Sequence, residues 1–212
     1  MADDDVCKVS VATFSRLADR YADKYFELDS YDGYLAQFAA GVAHGGRVLD
    51  VACGPGNVCA YLAKARADLH CVGVDLAEGM IEQARRRVPT AQFLLRDCRQ
   101  LGSLGPTFDA AAFAFGLSYL TDADAARFFT SLDAVLAPTA RLYLATMTGE
   151  ASSTGFETTS SGDRVHVTYR STADVVAMVE QAGYRVERAD VVESPANAPK
   201  RTQDLVVIAE RR

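Results

Sequence analysis

Apolar positions along this chain change their period several times, and each change marks an element. From residue 10 to about 43 they recur every three or four, placing Phe14, Leu17, Tyr21 and Tyr25 on one helical face. After a break at Asp29 and Ser30, a second helix is predicted from 31 to about 42. Short apolar runs then alternate with helical patterns. Strands are predicted at 47–52, 70–75 ("HCVGVD"), 91–97 ("AQFLLRD"), 108–115 ("FDAAAFAF") and 140–147 ("ARLYLATM"). Between them fall helices starting at Asn57, over 77–88, and over 122–136, the last amphipathic. Asp75-x-x-Glu78 and Thr121-x-x-Asp124 read as N-terminal caps of the second and third of these helices. Such alternation implies a parallel sheet covered on both faces.

The tail leaves this rhythm. Residues 147–163, "MTGEASSTGFETTSSGD", read as a Ser/Thr/Gly-rich loop, and 164–171, "RVHVTYRS", as a strand. Ser171-x-x-Asp174 caps a helix to about 182. Two long strands, 184–193 and 204–211, follow with only "SPANAPKRTQ" between them, which implies an antiparallel pair at one sheet edge. With no repeat and no linker, residues 1–212 are expected to form a single domain.

Composition narrows the class. The chain has 212 residues, 49% of them apolar and 24% charged, which suits a globular protein. A net charge of −6 argues against a surface that neutralises nucleic-acid phosphates. The start, "MADDDVCK", is acidic where a signal peptide is basic, and "AAAFAFGLSYL" is too short to span a bilayer. Cys7, Cys53, Cys59, Cys71 and Cys98 form no CxxC pair, and the three histidines complete no zinc spacing. Each cysteine therefore reads as a small buried hydrophobe in a reducing, cytoplasmic setting, with no membrane, metal or nucleic-acid partner expected.

The chemistry concentrates in "RVLDVACGPGNVCAYLAKA", residues 47–65, a strand, a tight loop and a helix. Ligands of such sheets bind outside the carboxyl ends of the strands. Gly54 and Gly56 allow a sharp turn and a close ligand, but the third glycine of a dinucleotide fingerprint is replaced by Cys59. Asp75 ends the second strand, where a carboxylate can accept both hydroxyls of a ribose; capping its helix is the plainer role. Asp97 ends the third, where it can accept from an adenine amino group while the Cys98 amide serves a ring nitrogen; otherwise it is a solvated loop aspartate. Asp50, at the loop entrance, would repel a pyrophosphate and favours a ligand with an ammonium or sulfonium group. The expected cofactor is adenosine-like with a cationic end.

On these residues, "VLDVACGPGN", "VGVDLAEGMIEQAR" and "FLLRDCRQL" resemble the successive cofactor motifs of class I S-adenosylmethionine-dependent methyltransferases of the small-molecule type. The resemblance runs on through "FDAAAFAFGLSYL" and "LDAVLAPTARLYLAT". It implies a doubly wound, Rossmann-like α/β fold with a seven-stranded sheet of order 3-2-1-4-5-7-6, the last strand antiparallel. It further implies that Gly54 and Gly56 face the methionine portion and that Asp75 holds the ribose. Leu76 and Met80 would pack on adenine, Asp97 and Cys98 read its edge, and Phe115 lend its carbonyl to an amino group of the cofactor. Ala52 departs from the pattern, standing where the family often has Gly in D-x-G-x-G-x-G; its methyl would narrow the loop.

"FSRLADRYADKYF" resembles the F-x-x-x-A-x-x-Y segment of such enzymes, with Phe14, Ala18 and Tyr21 matching. Residues 1–45 are accordingly expected to be a helical lid over a core at 46–212, with Tyr21 reaching the methionine end of the cofactor. Methyl transfer from a sulfonium is an in-line displacement that needs alignment first and a base only for some nucleophiles. Candidate catalytic residues are Tyr21, Tyr119, beyond the fourth strand, and His166, chosen for its pKa alone. The tetrapeptide N-P-P-Y is replaced by "FGLSY", which favours a small-molecule acceptor over an amino group in DNA or protein. Two other readings stay open: a non-catalytic binder of the adenosyl cofactor, and a nicotinamide-dependent oxidoreductase. Oligomeric state is not legible.

Overall fold

The structure is a computed structural model that describes residues 6–27, 29–105, 107–159, 161–195 and 202–212. The acidic start at 1–5 and most of the connection between the last two predicted strands, at 196–201, lie outside the described residues. Three helices come first: α1 (Val6–Arg16), α2 (Ala18–Tyr25) and α3 (Asp32–Ala40). The expected single helix is divided at Leu17, although Leu17 and Tyr21 still make i→i−4 hydrogen bonds across the division. Strands and helices then alternate: β1 (Arg47–Val51), α4 (Asn57–Ala65), β2 (His70–Asp75), α5 (Glu78–Arg87), β3 (Gln92–Leu95), β4 (Phe108–Ala114), α6 (Asp122–Asp133) and β5 (Leu136–Thr148). The remainder is β6 (Gly155–Thr158), β7 (Arg164–Val167), α7 (Thr172–Gln181), β8 (Tyr184–Glu193) and β9 (Gln203–Arg211).

Seven strands form one sheet in the order β3-β2-β1-β4-β5-β9-β8, which is the order expected once β6 and β7 are set aside. β9 runs antiparallel between β5 and β8. The small residues Ala110, Ala111 and Ala112 of β4 lie at its centre, fully buried. One face packs on Phe128, Leu132, Val175 and Val179 from α6 and α7; the other takes Leu35 and Phe38 from α3 and Val58 and Leu62 from α4. Burial on both faces explains why these strands read as apolar runs rather than alternating patterns.

Three local expectations need correction. The supposed loop at 147–163 contains β6, which pairs antiparallel with β7 in a separate two-stranded sheet. Its signal was hidden because it places Gly155 and Glu157 on the inner face and leaves Phe156 43% exposed. Asp75 and Glu78 make no capping box, since α5 begins after Ala77 without a side-chain cap. Cys71 and Cys98 are only partly buried, whereas Cys7, Cys53 and Cys59 are buried as expected. The caps at Thr121 and Ser171 are present, each hydroxyl accepting from the amide three residues on.

Candidate active site

The carboxyl ends of β1 and β4 are held in conformations that ordinary residues avoid. Ala52 and Phe115 have φ of +50° and +63°, and Gly54 and Gly56 have +53° and +92°. Left-handed non-glycine residues are uncommon and strained, and two on adjacent strands point to a site that demands them. Ala52 thus departs from glycine at some conformational cost, a larger matter than its methyl group. That methyl has room because Gly116 faces it: a Cβ on Gly116 would lie 2.8 Å from the Ala52 Cβ and collide with the Phe113 ring. A Cβ at Gly54 would meet nothing within 4 Å, whereas one at Gly56 would press on Phe93 and Val88 at 3.2 and 3.3 Å. Gly54 therefore opens onto free space, and Gly56 lets α4 start close against α5 and β3.

Asp75 ties two strand ends together. One carboxylate oxygen accepts the Gly54 amide at 2.9 Å and the other the Ala77 amide at 2.8 Å. Burial raises its pKa, and the amides of Ala77, Gly54 and Leu76 offset only part of the rise. With three amides on its two oxygens, the carboxylate keeps lone-pair capacity for a further donor. Asp50 is 1% exposed, and neither of its oxygens has a well-formed hydrogen bond among the described residues. Burial pushes its carboxyl up to about 7, against the lowering effect of the nearby Cys59 thiol and amide and with a further push from the Asp75 charge. An unsatisfied buried carboxylate beside a glycine loop is costly, and a cationic ligand would relieve it.

Asp97 does not stand open as expected. Its oxygens are gripped by the Arg99 guanidinium at 2.7 to 3.1 Å and by the Arg99 amide at 2.8 Å, and Arg99 reaches on to Asp124 of α6 at 3.2 Å. Burial alone would raise the Asp97 carboxyl, but Arg99 holds it below the usual range. Cys98 packs its half-buried side chain on the main core. Met80 is buried with Ala18 and Ala77 beneath Phe14 and Tyr21, and Leu76 is half-buried beside Asp75.

The first two helices lie across these strand ends. The Gly79 amide donates to the Ser15 hydroxyl at 2.9 Å, and a Cβ on Gly79 would run into the Ser15 carbonyl. The Asn57 side chain donates to the Tyr25 and Phe26 carbonyls at 2.6 and 3.2 Å, and the Thr13 hydroxyl donates to the Arg164 carbonyl at 2.8 Å. So α1 and α2 are fastened to α4, α5 and β7. Beneath them Phe14 meets Tyr119 at 4.8 Å and Tyr21 at 5.9 Å, and Tyr21 meets Tyr25 at 4.7 Å. Burial raises the Tyr21 and Tyr119 hydroxyls well above their ordinary pKa, so both phenols stay protonated at neutral pH.

His166 is not brought to this group. Its ring meets Phe156 edge-on at 5.2 Å, on the face of β7 opposite Val165 and Val167, which pack with Phe14 and Tyr119. The sequence reading missed Asn57, Ser15, Gly79 and Arg99, whose roles need partners 25 to 64 positions away. It also missed Tyr169, whose hydroxyl donates to Glu157 at 2.9 Å.

Residues 48–139 match the family described as a methyltransferase domain. That match runs from β1 into β5 and covers somewhat under half of the chain. Demethylmenaquinone methyltransferase of Beutenbergia cavernae is 36% identical over 85 residues, which is 40% of this chain and 35% of that protein. YqeM of Bacillus subtilis, named as a putative methyltransferase, is 34% identical over 126 residues, 56% of this chain and 50% of that protein. The chain thus spans half or less of the length of these curated relatives. Among solved structures, magnesium protoporphyrin IX methyltransferase from Synechocystis PCC 6803, with bound S-adenosylhomocysteine, superposes with a TM-score of 0.75 at 18% identity, covering 99% of this chain and 100% of that one. The 1,6-didemethyltoxoflavin-N1-methyltransferase of Burkholderia thailandensis gives 0.74 at 16% identity over 100% and 91%. At these identities the likeness is of fold, and it includes the helices preceding β1.

Proposed function

We propose that this chain is an enzyme that transfers the methyl group of S-adenosylmethionine to a small organic acceptor. The observation that carries the reading is Asp50, a buried carboxylate without a well-formed hydrogen bond among the described residues, beside a loop whose Gly54 opens into free space. Such a carboxylate suits a cation and not a pyrophosphate, which sets the nicotinamide reading aside. Gly54 and Gly56 would admit the methionine portion, with Asp50 and the Phe115 carbonyl toward its positive charge. Asp75 would accept the ribose hydroxyls, Leu76 and Met80 would flank adenine, and Asp97 with the Cys98 amide would meet its edge.

When bound, the cofactor supplies an electrophilic methyl group on a sulfonium. The chain's own contribution is alignment and exclusion of water, from α1 and α2 acting as a lid over residues 46–212. Tyr21 and Tyr119 position the acceptor by hydrogen bonding, and His166 has no part. The acidic net charge and the aromatic lining under the lid support a small molecule, as do relatives named for methylation of demethylmenaquinone and 1,6-didemethyltoxoflavin.

Thermal denaturation with S-adenosylmethionine, S-adenosylhomocysteine and NAD tests the reading. A ligand at about a hundred times its Kd adds roughly 2.7 kcal/mol, which is on the order of 5–10 °C for a chain this size. Both adenosyl ligands should shift the wild type, and Asp75→Ala should lose most of that shift. A shift with NAD alone, or none with either adenosyl ligand, would overturn the proposal.

A further inference from the structure

We infer that the methyl acceptor is a neutral or cationic molecule that points an N–H or O–H group at the Tyr31 hydroxyl, and that the buried Asp204 carboxylate behind this hydroxyl selects for it. The inference rests on the methyltransferase reading above and adds the chemical class of the acceptor. Tyr31 opens α3 and Asp204 lies near the start of β9, 173 positions apart, and the phenol donates to the carboxylate at 2.6 Å. Asp204 is 1% exposed; its other oxygen accepts the Thr202 hydroxyl at 3.3 Å.

A phenol that has given its only proton to a carboxylate has just lone pairs left to offer. Its oxygen is therefore an acceptor with negative charge behind it, suited to a donor on the incoming molecule. Burial raises the Asp204 carboxyl despite both hydroxyls, so its charge is costly and a cation or donor nearby offsets that cost.

The pair sits at the strand ends that form the site. Asp204 is in register with Met147, close to the end of β5, and Met147 packs on the Val165, Val167 and Tyr169 cluster that Tyr119 also packs on. The Tyr31 ring meets Phe115, the left-handed residue after β4, at 5.3 Å. On the hairpin side the pattern repeats, because Tyr169 donates its proton to Glu157 in the same way. Arg170, next to Tyr169, is committed to Asp122 and to the Leu117 and Leu120 carbonyls, so it does not answer an anion. Two carboxylate-backed hydroxyls thus adjoin the strand-end aromatics, Tyr31 beside Phe115 and Tyr169 in the cluster that Tyr119 packs on, and together they disfavour an acceptor bearing a carboxylate or phosphate.

Calorimetry on the full chain saturated with S-adenosylhomocysteine tests this, using benzylamine and benzoate as probes of matched size and opposite charge. Benzylamine should bind about tenfold or more tightly than benzoate, a difference of about 1.4 kcal/mol. In Asp204→Asn the preference should fall to within about threefold, and Tyr31→Phe should weaken benzylamine while leaving benzoate unchanged. Both variants should keep the wild-type thermal shift with S-adenosylhomocysteine, which shows that they are folded and hold the cofactor. A preference for benzoate, a preference that survives in Asp204→Asn, or binding of neither probe would overturn the inference alone. Absence of the wild-type shift with S-adenosylhomocysteine would overturn the cofactor reading and this inference with it.

Discussion

Replacing Asp50 with asparagine should make the ligand-free protein more stable at neutral pH, although it deletes a carboxylate from the middle of the sheet. Asp50 is 1% exposed, has no well-formed hydrogen bond among the described residues, and is pushed up to about 7 from the ordinary 3.8. Each pKa unit is about 1.36 kcal/mol, so the charged form is penalised on the order of 4 kcal/mol in the folded state. Because the folded pKa lies above the unfolded one, the folded chain binds the extra proton between the two values. Stability from this group is therefore present at low pH, falls as pH climbs from about 4 to about 7, and stays low above that. The asparagine side chain keeps the shape and carries no such penalty. Urea unfolding of both proteins near pH 5 and near pH 8 should show the variant's advantage widening by roughly 2–3 kcal/mol, with all other titrations cancelling in the comparison. An advantage that does not change between the two pH values would refute the reasoning and mean that Asp50 is solvated or paired. The same substitution should weaken S-adenosylhomocysteine by about tenfold or more, so that stability is gained while binding is lost.

Other perturbations follow from single contacts. Gly79→Ala drives a methyl group into the Ser15 carbonyl and should cost about 1–2 kcal/mol in urea unfolding despite alanine's better helix propensity; Gly33→Ala in α3, where a Cβ meets nothing within 4 Å, should instead gain up to about 1 kcal/mol. If Gly79→Ala also stabilised, the packing of α1 on α5 would be wrong. Arg99→Ala leaves Asp97 and Asp124, with side chains 17% and 10% exposed, facing each other without their shared cation. It should cost roughly 2–4 kcal/mol at neutral pH, a deficit that shrinks on acidification because the wild-type Asp97, depressed by Arg99, loses its advantage as pH falls through its pKa. Asn57→Ala releases the end of α2 and should speed dissociation of S-adenosylhomocysteine by about tenfold in stopped-flow while changing the melting temperature by only a few degrees; an unchanged rate would mean that this tether does not govern the lid.

Periodicity along the chain determined most of the frame. Helix and strand runs, the caps at Thr121 and Ser171 and the antiparallel final pair were legible because each depends on residues within one turn or one strand. Sheet order was readable only through family resemblance, since nothing local says that β9 inserts between β5 and β8. β6 escaped notice because its one large side chain, Phe156, faces solvent and its partner strand supplies the apolar face.

For the site, the chain itself announced the residues at strand ends: Asp50, Gly54, Gly56, Asp75 and Asp97 stand where a strand stops and a loop begins. Their electrostatic condition was decided by tertiary structure. Asp97 is bound by Arg99 two residues away, yet only the fold brings Asp124 to the same guanidinium. Tyr31 and Asp204, and Gly79 and Ser15, meet across 173 and 64 positions. His166 was a candidate by residue type alone, and its ring lies against Phe156 on the face of β7 opposite Val165 and Val167. The division has a physical reason. Backbone conformation and amphipathic period are short-range properties written into neighbouring residues, whereas burial, charge pairing and orientation depend on which distant surface the fold lays against each side chain.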